Sequence, residues 1–421
     1  MRTRNNIRIF FRILGPGLMY AGAAVGVSHL VQSTRAGAAY GFDLLLIVVI
    51  VNVIKYPFFE AAPRYVLGTG KNLIEGYHRL GKYAVIILAV LTLITMFPIL
   101  AAVSIVTTGI FSHVFSIGMD INHLNTILLL VLMLIVLLGQ YKTLDKIIKW
   151  VIIALAVSTL LAVAFSARSG FETGNFTNHF DWFKRVDILF LIALIGWMPA
   201  PIDVSVWSSM WSEAKLKNMG NKLKLRGALL DFKIGYWGTT FLAVAFVLLG
   251  AFVMQGSGET LAADGTGFAR QLISMYTSSL GSWTYPVIVI AALSTMLSTT
   301  ITVLDAYPRI LRPITEILVP RFKDEKEGQN KIYRFWMFTL VAGTIILVNY
   351  LSQPMRFMVD LATTLSFVTA PIFAVLNYKV LTHSNLPLHA RPAKWMRVFS
   401  IFGIVFLSLF SIVFIIWRFF I

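Results

Sequence analysis

Few side chains in this sequence can do chemistry, and they gather in three places. His29 closes the small-residue stretch Ala21-Gly22-Ala23-Ala24-Val25-Gly26-Val27-Ser28. Met198 and Asp203 flank Pro199-Ala200-Pro201. Ser298, Thr299 and Thr302 follow much later in one apolar run. A thioether and an imidazole suit a soft metal, and Asp203 would add the missing charge. His29 reads equally as a donor to an anion, a proton carrier or a hydrogen-bonded packing residue. An acid inside a membrane is a functional residue by default, yet Asp203 also stands where it would cap a helix. Hydroxyls such as those of Ser298, Thr299 and Thr302, joined by backbone carbonyls, would suit sodium; such residues also pack membrane helices. There is no nucleophile–base pair and no phosphate-binding loop, so an enzyme is not expected.

The elements that must position these groups are membrane helices. Of the 421 residues, 57% are hydrophobic and 13% charged, with a mean hydropathy of +0.78. Soluble domains carry roughly 25% charged residues, so a soluble protein is excluded. Eleven apolar segments recur, near 13–40, 43–67, 83–112, 123–140, 146–166, 186–212, 228–254, 281–305, 332–351, 356–381 and 396–418. Each is long enough to cross a bilayer. With the N-terminus inside, the inner segments hold 26 basic residues and the outer ones 7. That bias predicts a cytoplasmic N-terminus and an outside C-terminus. It also accounts for the net charge of +17 without nucleic acid. There is no cysteine, hence no disulfide.

Ala21-Gly22-Ala23 after a basic start has the look of a signal cleavage site. However, Gly15-Pro16-Gly17 interrupts the apolar core and the run continues past Ala23, so the segment reads as a retained span. The inner stretch 306–331, with Lys323-Asp324-Glu325-Lys326-Glu327, reads as a solvated loop. Asn175-Phe176-Thr177 would be a glycosylation sequon only in a eukaryotic cell.

Segments 1 and 6 are unlike the rest. Glycines and polar residues fill the middle of the first, and Pro199 and Pro201 remove two backbone donors from the sixth. Broken helices five apart point to a transporter of inverted repeats with its site at the midplane. The alternative is a pair of ordinary kinks. The expected fold is therefore an all-α polytopic membrane protein of about 11 spans in a single domain over 1–421. Its repeats would cover about 13–166 and 186–381, with an extra helix at 396–418.

Gly15-Pro16-Gly17-Leu18, Ala36-Gly37-Ala38-Ala39-Tyr40-Gly41, Asn52, Thr69-Gly70-Lys71-Asn72-Leu73-Ile74-Glu75, Met198-Pro199 and Ser298-Thr299-Thr300-Ile301-Thr302 follow one another in order along the chain. In these motifs the chain resembles the NRAMP family of proton-coupled divalent metal transporters. The resemblance implies the inverted 5+5 repeat of the LeuT-type (APC) fold, with helices 1 and 6 broken. It also marks departures. Where the family has Asp-Pro-Gly-Asn in its first helix, this chain has Gly26, Val27, Ser28 and His29. Met-Pro-His becomes Met198-Pro199-Ala200, and the acidic pair of the third helix is missing between Met96 and Ser104. Met198 keeps the thioether ligand, and Ile195 falls where the family uses a backbone carbonyl.

The family implies a secondary transporter of divalent metal through Met198, His29 and Asp203. Gly26, Ser28 and Ala200 would complete the substrate site. Divalent metal is the family-level reading; the alternative, favoured by the residue chemistry, is a small anion such as bicarbonate. Losing the carboxylate removes repulsion, and Ser28, His29 and the half-helix N-termini at 26–30 and 200–204 offer donors. Sodium at Ser298, Thr299 and Thr302 could drive uptake. A sensor is disfavoured because no loop supplies an output domain. No cofactor is expected beyond the carried ion and a coupling ion. The expected partners are that ion and the lipid bilayer, in a bacterial plasma (inner) membrane. Glu60 and Arg64, and Asp305 and Arg309, are spaced to pair along a helix. Thr363, Thr364, Ser366 and Thr369 give segment 10 a polar face. Lys55 lies deep with no local partner, within reach of Asp203 or snorkelling inward.

Overall fold

The protein is described here by a computed structural model covering residues 15–139, 142–168, 179–220, 223–255, 261–320 and 326–420. The N-terminal basic cluster, the sequon at 175–177 and most of the charged run at 323–327 lie outside the described residues or side chains.

Span 1 comprises α1 (Pro16–Ala24), a π-helical stretch (Ser28–Ser33) and α2 (Thr34–Tyr40). Span 2 is α3 (Leu45–Thr69), followed by the short α4 (Leu73–Leu80). Spans 3, 4 and 5 are α5 (Lys82–Phe115), α6 (Ile121–Leu137) and α7 (Lys142–Arg168). Span 6 is broken into α8 (Arg185–Trp197) and α9 (Val204–Met219). Span 7 is α10 (Leu225–Val253), and α11 (Gly265–Leu280) follows it. Spans 8 to 11 are α12 (Tyr285–Leu318), α13 (Lys326–Leu351), α14 (Met355–Thr382) and α15 (Lys394–Phe420). Among the described residues, seven helices are individually long and apolar enough to cross a membrane.

Local chemistry sets the ends. Asn72, Asp120 and Asp264 accept backbone N–H groups at the starts of α4, α6 and α11. Gly70 ends α3 in the left-handed conformation, at φ +73°. Helical regions exceed the eleven-segment reading at α4, α11 and the end of α12. α11 buries Phe268, Leu272, Ile273, Met275 and Tyr276 on one side of an otherwise polar sequence, so no long apolar run announces it. α12 continues past the expected end at 305, through Pro308 and Pro313, because Tyr307, Ile310, Leu311 and Ile314 are still buried. The expected loop from 306 is therefore helical as far as Leu318.

Small residues bring the broken spans close to their neighbours. A methyl on Gly37 would lie 1.9 Å from the Val247 carbonyl oxygen, and one on Gly250 would lie 2.3 Å from that of Thr34. At the other end of span 1, a methyl on Gly17 would lie 2.1 Å from the Asp231 carbonyl oxygen. Both halves of span 1 thus press backbone to backbone on α10. Likewise, α8 presses on α14, where a methyl on Gly196 would come within 2.0 Å of the Thr363 carbonyl oxygen. Tyr20, Phe59, Phe232 and Tyr236 interlock their rings between α1, α3 and α10.

Candidate substrate site at the two helix breaks

The breaks fall where glycine weakens the helix in span 1 and proline removes N–H donors in span 6. α1 stops at Ala24, and the chain resumes in the π-helical stretch at Ser28. The Ser28 hydroxyl donates to the Ala24 carbonyl, one of the groups orphaned by the end of α1. His29 is fully buried and donates from Nε2 to the Thr239 carbonyl of α10, 2.9 Å away. Its Nδ1 lies 2.8 Å from Ser28 Oγ. Both ring nitrogens are therefore engaged within the protein, and the imidazole fastens span 1 to span 7.

In span 6, α8 stops at Trp197 and residues 198–203 are not helical, with a cis peptide between Met198 and Pro199. The end of α8 is met by span 2. Lys55 Nζ donates to the carbonyls of Ile195 at 2.6 Å and Gly196 at 2.9 Å. Asp203 stands at the start of α9, and its side chain makes no capping bond there. It accepts instead from the Tyr307 hydroxyl of α12, at 3.2 Å. Its Oδ1 has no hydrogen-bond partner among the described residues. The Met198 sulfur accepts from the Ser33 hydroxyl at 3.7 Å. A positive side chain at the negative end of α8 and a carboxylate at the positive end of α9 each match the local helix dipole.

Between the breaks lies a cavity of about 30 Å³, room for roughly one or two waters. Ala23, Ala24, Val27 and Ser28 line it from span 1, and Ile99 and Val103 from span 3. Trp197, Ala200, Pro201, Val204 and Trp207 line it from span 6, and Thr299 and Val303 from span 8. This lining contains no acid. The Trp207 indole N–H has no partner among the described residues. The Thr299 hydroxyl donates to Thr295 at 3.0 Å and reaches the Val25 carbonyl at 3.5 Å. A methyl on Gly26 would come within 2.8 Å of Thr299 Oγ1, so span 8 fills the space a longer side chain would need.

Of the residues singled out from the sequence, Ser28, Ala200 and Thr299 line the cavity, and Gly26 backs onto it through Thr299. His29, Met198 and Asp203 each have their own hydrogen-bond partners and are not part of the lining. Ser298 is buried and Thr302 half-buried on α12, also outside the lining. Among the described residues, no group of three or more His, Cys, Asp or Glu is placed to hold a metal ion. Glu60 and Arg64 bond, as do Asp305 and Arg309. On α14, Ser366 accepts from Trp197 Nε1 at 2.8 Å. Sequence reasoning passed over Trp207, since a lone tryptophan in an apolar run carries no distinguishing signal. It noted Lys55 without its partners, because backbone carbonyls 140 residues away leave no mark on residue type.

Both ends of span 1 are tied down. Asp231 accepts from the backbone N–H of Gly15 at 3.0 Å and of Gly17 at 2.8 Å. On α2, Arg35 pairs with Asp360 of α14 at 2.7 Å and stacks on Phe190, 4.8 Å from the ring centre.

A family profile described as natural resistance-associated macrophage protein-like matches residues 17–417. An uncharacterised protein of Pasteurella multocida is 34% identical over 409 residues, covering 96% of this chain and 92% of the relative. The divalent metal cation transporter MntH of Erwinia tasmaniensis is 33% identical over 73 residues, 17% of this chain and 18% of that protein. Among solved structures, a variant of the Eremococcus coleocola manganese transporter superposes with a TM-score of 0.67 at 12% identity. It covers 95% of this chain and 85% of that one. MhsT in complex with L-phenylalanine superposes with a TM-score of 0.63 at 14% identity, over 95% and 97% of the two chains. These likenesses establish the all-α LeuT-type fold with broken spans 1 and 6, and a multi-pass membrane protein.

Proposed function

The chain belongs to the natural resistance-associated macrophage protein-like family of transporters, and we propose that it carries a small inorganic anion, of the size and charge of bicarbonate, by alternating access. One observation carries this reading. The cavity between the two breaks is lined by Ser28, Thr299 and Trp207 with no carboxylate, and the Trp207 indole N–H has no partner among the described residues. A buried N–H without an acceptor is costly, and an anion would satisfy it. A divalent cation entering the same walls would lose hydration with no negative charge to offset the loss. Sodium is the proposed coupling ion, held by the Thr299 hydroxyl and the Val25 carbonyl. The proposed location is a bacterial plasma (inner) membrane with the N-terminus in the cytoplasm, an orientation supported by the excess of basic residues in the inner segments. A single domain of two repeats, about 13–166 and 186–381, with an added helix at 396–418, completes the proposal.

Divalent metal is the second reading. It is favoured by the family, by the retained Met198 and by the unpartnered Asp203 Oδ1. It requires His29 and Asp203 to leave their present partners and converge on Met198.

Purified protein in liposomes separates the two. Internal pH and manganese entry are followed together, with bicarbonate outside and with or without a sodium gradient. Sodium-dependent alkalinisation that needs bicarbonate, with no manganese entry, is expected. Saturable manganese entry that is lost in M198A would overturn the anion reading.

A further inference from the structure

The end of α8 is a seat for a positive charge. α8 finishes at Trp197, and Pro199 and Pro201 bar the turn that would continue it. The carbonyls of Ile195 and Gly196 are left without helical donors and sit at the negative end of the helix. In broken membrane helices, such carbonyls can replace part of an ion's hydration shell. Their position is firmly set, since Gly196 is pressed on the Thr363 carbonyl of α14. Asp203 stands on the far side of the break, at the start of α9.

We propose that Lys55 is a tethered cation occupying this seat, which shuts free cations out of the break in span 6 and makes Lys55 the residue that sets the site's charge preference. Its amine reaches both carbonyls, at 2.6 and 2.9 Å, from a helix of another span, and the side chain is 0% exposed. A long amine stem in an apolar helix normally snorkels toward water. Here it runs inward to two backbone acceptors. Because the ammonium is covalently part of the protein, it cannot be carried across, and it cannot be exchanged for a coupling ion. Lys55→Ala would leave the two carbonyls with no donor, beside a hole as wide as the lost amine stem. A free cation should then enter where none enters the native protein. This inference holds whichever solute is transported.

The test is thermal unfolding of the purified full-length protein, wild type and K55A, in choline chloride. Potassium or ethylammonium chloride is titrated in at constant ionic strength; sodium and manganese are left out because a transport site could bind them in either protein. Ethylammonium reproduces the head of the missing side chain. For K55A, a saturable rise in Tm of about 3 °C is expected with ethylammonium or potassium, as for a ligand well above its Kd. The wild type should show no saturable shift. K55M, whose stem fills the space without a charge, should show none either. Equal shifts in wild type and K55A, or no shift in a folded K55A, would overturn the proposal. Should K55A aggregate on extraction, K55T carries the same titration with a shorter void. The readout is binding rather than flux, so failure of the anion reading in liposomes leaves this result standing, and the reverse.

Discussion

Arg35 and Asp360 join the second half of span 1 to span 10: the guanidinium lies 2.7 Å from the carboxylate, and Gln32 bonds to both residues. The arginine is buried and the aspartate 37% exposed, which places the pair between surface and core. Removing Asp360 leaves the guanidinium with Gln32 and the face of Phe190. D360A should therefore destabilise the protein by about 1–2 kcal/mol. R35A/D360A should cost less than the sum of the two single changes. Denaturant unfolding of the four proteins in detergent measures the coupling, and strict additivity would mean that the pair contributes nothing.

The glycine contacts on α10 predict a contrast within one helix. Gly250 meets the Thr34 carbonyl, whereas a methyl on Gly238 meets nothing within 4 Å. G250A should push α2 off α10 and sharply lower the yield of folded protein, because backbone contacts of this closeness cannot absorb a methyl. G238A should match the wild type or slightly exceed it. Size-exclusion profiles of the two variants decide this.

Asp231 holds two backbone N–H groups at the start of span 1. D231A leaves both without their acceptor and should cost about 1–2 kcal/mol. D231N keeps a carbonyl acceptor and should recover at least part of that loss. Thermal unfolding of the two variants side by side gives the comparison; equal Tm values for D231A and the wild type would remove the clamp from the account.

Restoring an acid at residue 26, where the NRAMP family has one, should not by itself create a metal site. A side chain at Gly26 runs into Thr299, and Lys55 already holds the carbonyls across the break. G26D should lower the Tm and bind no manganese by calorimetry. G26D/T299A/K55A, with the space cleared and the positive charge removed, should bind it. Manganese binding by G26D alone would show that neither obstacle matters.

The spans and both breaks were legible because they are written in residue type. Apolar runs, the glycine-rich stretch around Gly22 and Gly26, and Pro199-Ala200-Pro201 act locally, through hydrophobicity, low helix propensity and missing N–H donors. What escaped was set by partners distant in sequence. The helical course of α12 beyond residue 305 depends on burying Ile310, Leu311 and Ile314 against neighbours, and α11 buries only one face. Within the site, His29 and Lys55 stood out by type. Yet their partners are carbonyls, of Thr239 for one and of Ile195 and Gly196 for the other. A carbonyl is offered by every residue, so no spacing rule could have pointed to these.

The glycine contacts of span 1 also bear on how such a molecule would change shape. Gly17 and Gly37 fasten its two halves to a single unbroken helix, α10, and His29 adds a third point between them. That helix acts as a splint, so the gap after Ala24 is not a joint. Span 6 is bridged in the same way. Lys55 of α3 and the Thr363 backbone of α14 meet the end of α8, and the same two helices meet α9, where Asn377 of α14 donates to the Ser205 hydroxyl. Any change of shape must therefore carry each broken span together with the unbroken helices that brace it.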